Sequence, residues 1–287
     1  MRKLSTLSLL LSFFLIEGCA SGGSDKSDEV AEPTARARAE WKIDLPFDEY
    51  QLSSSEGAVV FAAQERLTAD CMRSTGANWK EIRPGVEEVS SRNKRRYGVI
   101  DEGIAASYGY HMPPPGPEVL QRLKEEQERE KDPNSKIYLK AFGEDGFGGC
   151  ARWAYENLLE GAPGADLDLY NELNRKSFRM SMETPKVEKV MTEWRKCVSR
   201  GNYRYVSPIE MSSDSRWFSG KAISGNEKKA AVVDAKCNRK VGLAAIWVQQ
   251  EAKIQRNLIG ANVKYFDDLK EIREINVSAA RKVLRAE

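Results

Sequence analysis

The chain has 287 residues, 31% of them charged and 41% apolar, with 45 basic and 43 acidic side chains and a formal net charge of +2. So balanced a composition produces no long-range field that would attract nucleic acid or anionic lipid, and a nucleic-acid partner is not expected. The length suffices for one large domain or two small ones and does not distinguish between them.

Residues 1–18 have the pattern of a signal peptide. Arg2 and Lys3 supply a basic start, residues 4–16 are mostly apolar, and a small residue stands at the cleavage point. The apolar run is too short to cross a hydrocarbon core of about 30 Å at about 1.5 Å per residue. The sequence therefore predicts that the mature chain is exported.

The residues around the cleavage point, Ile16-Glu17-Gly18-Cys19, resemble the lipobox of bacterial lipoproteins, although Glu17 stands where that pattern prefers a small or uncharged residue. The resemblance implies that the Cys19 thiol is diacylglycerated and anchors the protein to the outer face of the cell membrane. The alternative is ordinary cleavage after Ala20, because Gly18-Cys19-Ala20 also fits the small-x-small rule; the protein would then be secreted.

Residues 19–41 form a predicted disordered tether. They are rich in Ser, Gly, Ala and scattered charges and contain almost no large apolar side chains, so nothing there offsets the entropy of ordering. A chain of this length has a root-mean-square span of roughly 25 Å and a maximum of about 70 Å, which would hold a folded body clear of a membrane surface.

After the tether the sequence predicts helices. Ser53 and Glu56 have capping-box spacing, and the apolar stripe that follows carries Cys71 and stops at Gly76. Residues 118–131 carry many charges and few apolar side chains, which predicts a solvated helix on the surface.

Two further apolar stripes each contain a cysteine. Cys150 begins a stripe that ends at Gly161, and Thr184-Pro185 begins a helix whose stripe reaches Cys197. Each of these cysteines is therefore expected to point at the core.

The C-terminal third is also predicted to be helical. Ser224 and Glu227 have capping-box spacing ahead of Cys237. From Leu243 onward apolar residues recur at helical spacing, with only Gly260 to interrupt them. This pattern predicts a long C-terminal helix, which would approach 60 Å at about 1.5 Å per residue if it were unbroken.

Five cysteines are present, and four remain if Cys19 carries lipid. Four cysteines in an oxidising compartment predict two disulfides among Cys71, Cys150, Cys197 and Cys237, the alternative being four buried free thiols. Neither a metal site nor a cofactor is expected, because no two of the four have C-x₂₋₄-C spacing and the chain has a single histidine.

A loose internal repeat relates the two halves of the chain. In each copy a cysteine on a helix is followed by a Gly, aromatic residues, a Pro and a second helix with a cysteine, as in Gly76, Trp79 and Pro84 of the first copy and Gly201, Tyr203, Tyr205 and Pro208 of the second. A chance match is the alternative. The repeat favours Cys71 with Cys150 and Cys197 with Cys237 over the two other connectivities.

The repeat also suggests two helical modules, residues 42–183 and residues 184–287, the first enlarged by an insertion around residues 85–145. One compact domain is the alternative. The predicted fold class is mainly α, a helical bundle of two loosely repeated disulfide-stapled modules with a long C-terminal helix and few or no strands.

Short motifs spread over nearly all of the mature chain resemble a broad group of secreted or lipid-anchored actinobacterial proteins. These motifs are Arg95-Arg96-Tyr97-Gly98-Val99-Ile100-Asp101, Tyr108-Gly109-Tyr110-His111, Gly148-Gly149-Cys150-Ala151, Trp194-Arg195-Lys196-Cys197 and Val232-Val233-Asp234-Ala235-Lys236-Cys237. The resemblance implies a mostly helical, disulfide-bearing exported protein and brings no activity with it.

The candidate ligand surface is centred on the single histidine. His111 lies beside a polyproline stretch, close in sequence to Tyr108 and Tyr110, with Arg95 and Arg96 upstream. One hypothesis is that the aromatic residues only pack this loop onto the helices, and the other is that they line a ligand groove. Catalysis is not expected, because no nucleophile motif accompanies the histidine.

Three classes of function follow from the sequence. The leading one is a non-catalytic, lipid-anchored extracytoplasmic binding or accessory protein with a protein or peptide partner at the cell surface, such as an exporter component or an antimicrobial peptide that it sequesters. The second is a structural cell-envelope protein, and the third is an enzyme without a recognisable catalytic constellation.

Overall fold

Helices dominate the part of the chain that the structure describes. The computed structural model describes residues 43–85, 92–144, 146, 148–220 and 222–286. The predicted signal peptide, the predicted lipidation site Cys19 and the predicted tether lie outside these residues.

Eleven α-helices and no strand occur in the described residues, together with two short 3₁₀ helices at Pro46–Tyr50 and Ser215–Phe218. The mainly α fold class is therefore confirmed. In chain order the α-helices are α1 (Ser54–Ser74), α2 (Glu102–Tyr108), α3 (Pro117–Glu130), α4 (Lys136–Phe142), α5 (Gly149–Leu158), α6 (Leu167–Met182), α7 (Pro185–Ser199), α8 (Pro208–Ser212), α9 (Gly225–Val241), α10 (Leu243–Ala261) and α11 (Val263–Arg285).

Most of these helices begin where the sequence predicts. At α1 the Ser53 hydroxyl accepts from the Glu56 N–H at 3.3 Å and the Glu56 carboxylate accepts from the Ser53 N–H at 2.9 Å, which completes the capping box. Thr184 caps α7 in the same way through its hydroxyl. At α9 Ser224 caps the helix, but the Glu227 side chain does not return a bond to the cap and is fully buried instead.

The helices pack in two groups. In one, α1 lies against α5 and α11; in the other, α9 and α10 lie against α2, α6 and α7. The main core belongs to the second group and includes Tyr97, Trp194 and Trp247, while Phe47 and Phe266 form a smaller cluster beside the first 3₁₀ helix. In both groups, helices from residues 42–183 pack against helices from residues 184–287. The division into two modules stays a prediction.

Both predicted disulfides are present. Cys71 is bonded to Cys150 and Cys197 is bonded to Cys237, with Cα atoms 5.6 Å apart in each pair. The first disulfide joins α1 to α5 and the second joins α7 to α9. The connectivity that the loose repeat favoured is confirmed.

The disulfides define two helix pairs, α1 with α5 and α7 with α9. The two pairs resemble each other where their first helices, α1 and α7, end. Five residues after the first cysteine the chain takes the left-handed conformation, at Gly76 (φ 74°) and at Asn202 (φ 66°). The next N–H donates back to the carbonyl one residue after the cysteine, at 3.0 Å in the first copy and 3.3 Å in the second. Gly201, the glycine of the second copy of the repeat, therefore precedes the residue that turns the chain.

The second helix of each pair breaks this similarity. Cys150 is near the beginning of α5 and is bonded to Cys71 near the end of α1, while Leu158 at the end of α5 packs on Ala63 earlier in α1. The helices α1 and α5 therefore run in opposite directions.

In the second pair the disulfide lies near the C-terminal end of both helices, at Cys197 in α7 and at Cys237 in α9. The Trp194 indole contacts Asp234, and the disulfide between Cys197 and Cys237 follows three residues later on both helices. The internal similarity is thus limited to the first helix of each pair and to the turn after it.

The apolar run after Leu243 divides into two helices at Asn262, whose backbone takes φ −135° and ψ 41°. The long C-terminal helix is present as α11, about 35 Å at about 1.5 Å per residue, but it is not continuous with α10. The reason lies in the packing, because α10 buries Trp247 in the main core whereas α11 packs its Ala280 against α1.

Each disulfide should stabilise the fold by constraining the unfolded chain. The bonds close loops with sequence separations of 79 and 40 residues, for which chain entropy predicts about 4 kcal/mol each. We expect Cys71→Ala/Cys150→Ala and Cys197→Ala/Cys237→Ala each to lower the free energy of unfolding in urea by about this amount. Unchanged stability of either double variant, or non-reducing peptide maps that link Cys71 to Cys197 or Cys237, would contradict this account.

Candidate functional site

Arg96, one of the predicted ligand-surface residues, is turned into the protein. Its guanidinium forms a forked ion pair with Glu251, including Nε contacts of 3.1 and 3.0 Å, and donates to the Asn174 side-chain oxygen at 2.9 Å. Only 16% of the Arg96 side chain is exposed. The residue therefore fixes the fold and offers little surface to a ligand.

Glu251 is fully buried and its carboxylate is well satisfied. Besides Arg96, it accepts from the Tyr97 hydroxyl at 2.7 Å, the Ser177 hydroxyl at 2.8 Å and the Gln255 side-chain amide at 3.3 Å. A buried charge is tolerated only when it is paired and hydrogen-bonded in this way. Glu251 thereby ties the segment after residue 92 to helices α6 and α10.

A second buried carboxylate, that of Glu227, organises the candidate site. Its Oε1 accepts from the Tyr110 N–H at 2.8 Å and lies 2.8 Å from His111 Nδ1. The Arg95 guanidinium donates to the His111 carbonyl at 2.7 Å. Three of the five predicted residues are therefore brought together, two of them on a carboxylate that the sequence assigned to a helix cap.

Gly109 permits this close approach. Its backbone is left-handed at φ 57°, and a Cβ atom there would overlap the Glu227 Oε1. Tyr108, the last residue of α2, is half-buried and supplies the carbonyl that accepts from the His111 N–H at 2.9 Å. The turn at residues 108–111 thus places the Tyr110 backbone nitrogen and His111 Nδ1 against the same Glu227 carboxylate.

Asp234 adds a third buried carboxyl beside Arg95 and Tyr110. Its Oδ1 accepts from the Trp194 indole N–H at 2.9 Å. Burial raises the pKa of Asp234 to about 8, against the lowering influence of Trp194, Arg95 and Tyr110. Burial also lowers the pKa of Arg95 to about 10.

The outer side of the site is aromatic. Tyr110 is 6% exposed and packs on Trp217 at 5.7 Å between ring centroids, which places Tyr110 in the core. The His111 ring lies 4.9 Å from that of Phe218, and 34% of its side chain is exposed. Phe218 is 50% exposed and Met112 is 49% exposed. We call His111, Met112, Trp217 and Phe218 the His111 surface.

The short 3₁₀ helix that carries two of these aromatic residues is held by polar contacts. Asp214 caps it, and its carboxylate accepts from the Tyr205 hydroxyl at 2.7 Å and from the Arg216 guanidinium at 2.7 to 3.0 Å. The Trp217 indole donates to the Met211 carbonyl at 2.7 Å. Phe218 therefore lies on a 3₁₀ helix whose position is fixed by side-chain hydrogen bonds.

The Glu227 carboxylate holds one of the two ring nitrogens of His111. A carboxylate that holds Nδ1 orients the imidazole, as in hydrolytic sites. However, no described side chain forms a hydrogen bond with Nε2, so no hydroxyl or thiol is placed for activation. Within the described ranges, no group of three or more His, Cys, Asp or Glu side chains is arranged to hold a metal ion.

Two clefts are present away from this surface. One, of about 400 Å³, lies along α11, and the other, of about 570 Å³, lies beside the junction of α9 and α10. Neither is lined by any of the five predicted ligand-surface residues. Among the described helices none is both long and apolar enough to cross a membrane.

The chain shows no significant match to any protein-family model, curated protein or solved structure. The resemblance to exported actinobacterial proteins therefore stays an expectation from short motifs. The function has to be argued from the geometry of the chain itself.

Sequence reasoning missed Glu227, Trp217 and Phe218 as parts of the site. Glu227 stands at a capping-box position, and nothing in its spacing shows that the side chain turns inward. The aromatic pair does leave a signal, because Trp217 and Phe218 interrupt a stretch of Ser, Asp, Arg and Gly that has no other apolar residue to bury. Such a pair is typical of a small surface cluster.

The raised pKa of Asp234 predicts a pH-dependent stability. The folded protein keeps a proton that an unfolded Asp, with an ordinary pKa of 3.8, releases, so stability falls as the pH rises from about 4 towards about 8. We expect wild-type protein to lose more stability between pH 5 and pH 8 than Asp234→Asn does, by at most about 1.4 kcal/mol per pH unit. Urea denaturation at both pH values measures this.

The exposed residue Asp132 offers a matched control, since Asp132→Asn makes the same substitution on the surface. This control should follow the wild-type pH profile. If the Asp234→Asn profile is parallel to that of the wild type, the buried carboxyl is not the source of the pH dependence.

Proposed function

We propose that the protein is a non-catalytic, lipid-anchored binding or accessory protein outside the cytoplasm, and that it contacts a polypeptide partner through the His111 surface. The carrying observation is that the exposed side chains of Met112 and Phe218 and the partly exposed ring of His111 lie on segments that hydrogen bonds hold in place. Beneath them the buried Glu227 carboxylate fixes the backbone at Tyr110 and the ring of His111.

A surface of this kind suits a protein or peptide partner. Aromatic and Met side chains are enriched at protein interfaces, and an anchor that is already fixed loses little conformational entropy on binding. The His111 surface is small, and none of its four residues lines either of the two clefts described above. A short segment of an exporter component or of an antimicrobial peptide therefore suits it better than a buried small molecule does.

Two disulfides support the extracytoplasmic part of the proposal. Disulfides form and persist in oxidising compartments and are rare in cytosolic proteins. The lipid anchor itself rests on the sequence around Cys19, which resembles a lipobox. An acyl anchor followed by the tether of residues 19–41 would leave the His111 surface free to reach a neighbour in the membrane.

The anchor is tested by fractionation. Wild-type protein should require detergent for release from membranes, and Cys19→Ser should accumulate as a precursor or as a freely soluble form, because a single Cys19 carries the proposed acyl chains. Intact-mass measurement of the N-terminal peptide checks acylation. Wild-type protein in the medium with an N-terminus after Ala20 would contradict anchoring and leave the partner surface untouched.

The partner surface is tested by crosslinking on intact cells. Met112→Ala/Phe218→Ala removes two exposed apolar side chains, so stability should change by no more than about 0.5 kcal/mol per site while the crosslinked partner is lost. Mass spectrometry of crosslinked peptides identifies the partner and its contact with residues 108–115 or 215–218.

Trp153 and Val263 supply the control for this experiment. They are 45% and 55% exposed and lie on α5 and α11, outside the His111 surface. Trp153→Ala/Val263→Ala should keep the partner. If both double variants crosslink to the same partner with equal yield, the His111 surface is not the binding surface.

A further inference from the structure

The last third of α11 is basic and lines a cleft. Four basic side chains, those of Arg273, Arg281, Lys282 and Arg285, border a space of about 400 Å³. Glu56 from the first turn of α1 borders the same space from the opposite side. The near-neutral charge of the whole chain conceals this local concentration of positive charge.

One of the four basic residues is already neutralised. The Arg273 guanidinium forms a forked ion pair with Glu56, with Nη2 contacts of 2.8 and 2.9 Å, and also donates to the Glu49 carbonyl at 3.3 Å. Glu56 is in turn held by the α1 capping box. This ion pair lies in the lining of the cleft, and its two charges cancel each other.

The other three basic residues have no such partner. Arg281, Lys282 and Arg285 are exposed, and none forms an ion pair with a described acidic side chain. Glu274 is the remaining acidic residue in the lining. Apart from the Arg273–Glu56 pair, three cations and one carboxylate of α11 therefore line the cleft.

The three cationic side chains repel one another, and a bound anion would reduce this repulsion. Arg281 and Arg285 are spaced i, i+4, and like charges at this spacing destabilise a helix. The helix dipole favours cations in the last turn and so accounts for Lys282 and Arg285. It does not account for Arg281, which precedes the last turn.

We propose that this cleft binds a phosphate group. Guanidinium groups pair with phosphate oxygens in a forked geometry, and Arg281 and Arg285 can supply two such groups from one helix face. Ser278 adds a hydroxyl donor in the same lining, and Val277, 5% exposed, contributes an apolar side. The phosphate belongs either to a soluble ester or to the headgroup of an anionic lipid. This site is independent of the His111 surface and of the acyl anchor.

Inorganic phosphate is the first probe. At equal ionic strength, sodium phosphate should raise the melting temperature of the purified protein more than sodium chloride does, because a ligand bound only by the folded state stabilises it. Arg281→Gln/Arg285→Gln should abolish this difference and weaken phosphate binding by about tenfold or more in calorimetric titration.

Arg175→Gln/Arg179→Gln is the matched control. These two arginines are also exposed and spaced i, i+4, on α6, so the variant has the same net charge. The control should keep the response of the wild type. Equal stabilisation by phosphate and chloride, or equal loss of the phosphate response in both double variants, would overturn the proposal.

Vesicles distinguish the two sources of phosphate. The Cys19→Ser protein, which has no acyl chain at that position, is sedimented with vesicles of phosphatidylglycerol and phosphatidylcholine or of phosphatidylcholine alone. Retention on the anionic vesicles that Arg281→Gln/Arg285→Gln removes and the control keeps assigns the site to lipid headgroups. Phosphate binding without vesicle retention assigns it to a soluble ester.

Discussion

Two fully buried glutamates hold this fold together. Glu251 on α10 and Glu227 on α9 each accept hydrogen bonds from the segment between residues 93 and 111. An unpaired carboxylate in the core would cost several kcal/mol, so the segment and the helices must be placed together. The turn at His111, the docking of Arg96 and the orientation of the outer aromatic residues all follow from this requirement.

Much of the fold could be predicted from the sequence, because helix periodicity and caps are local signals. Ser53 and Thr184 mark the starts of α1 and α7 as predicted. The two disulfides were also predictable, since four cysteines on apolar stripes allow only three connectivities and the turn chemistry after Cys71 and Cys197 is alike.

The positions of two of the turns between helices could not be predicted. Asn202, one residue after Gly201, takes the left-handed conformation that follows α7. The division at Asn262 had no signal in the sequence either. The apolar spacing is continuous across it, and the interruption becomes visible only when α10 and α11 are seen to bury their stripes against different helices.

The candidate site was predictable only in part. His111 and Tyr110 could be selected as the single histidine and its aromatic neighbour, but the partner that fixes them is Glu227, more than a hundred residues away in sequence. A carboxylate at a helix start is usually a cap, so its inward orientation has no local signature. The cluster of cations at the end of α11 does not by itself predict a site, because the dipole of any helix favours basic residues there.

The distance along the chain between the buried partners constrains how the protein folds. Arg96 and Glu251 are 155 residues apart, and Tyr110 and Glu227 are 117 residues apart. Contacts of such high sequence separation form slowly. Because synthesis starts at the N-terminus, the segment after residue 92 is made long before its partners on α9 and α10. It stays hydrated until those two helices are present. An incomplete chain that lacks α9 and α10 therefore leaves Arg96 and the turn at His111 without the carboxylates that fix them.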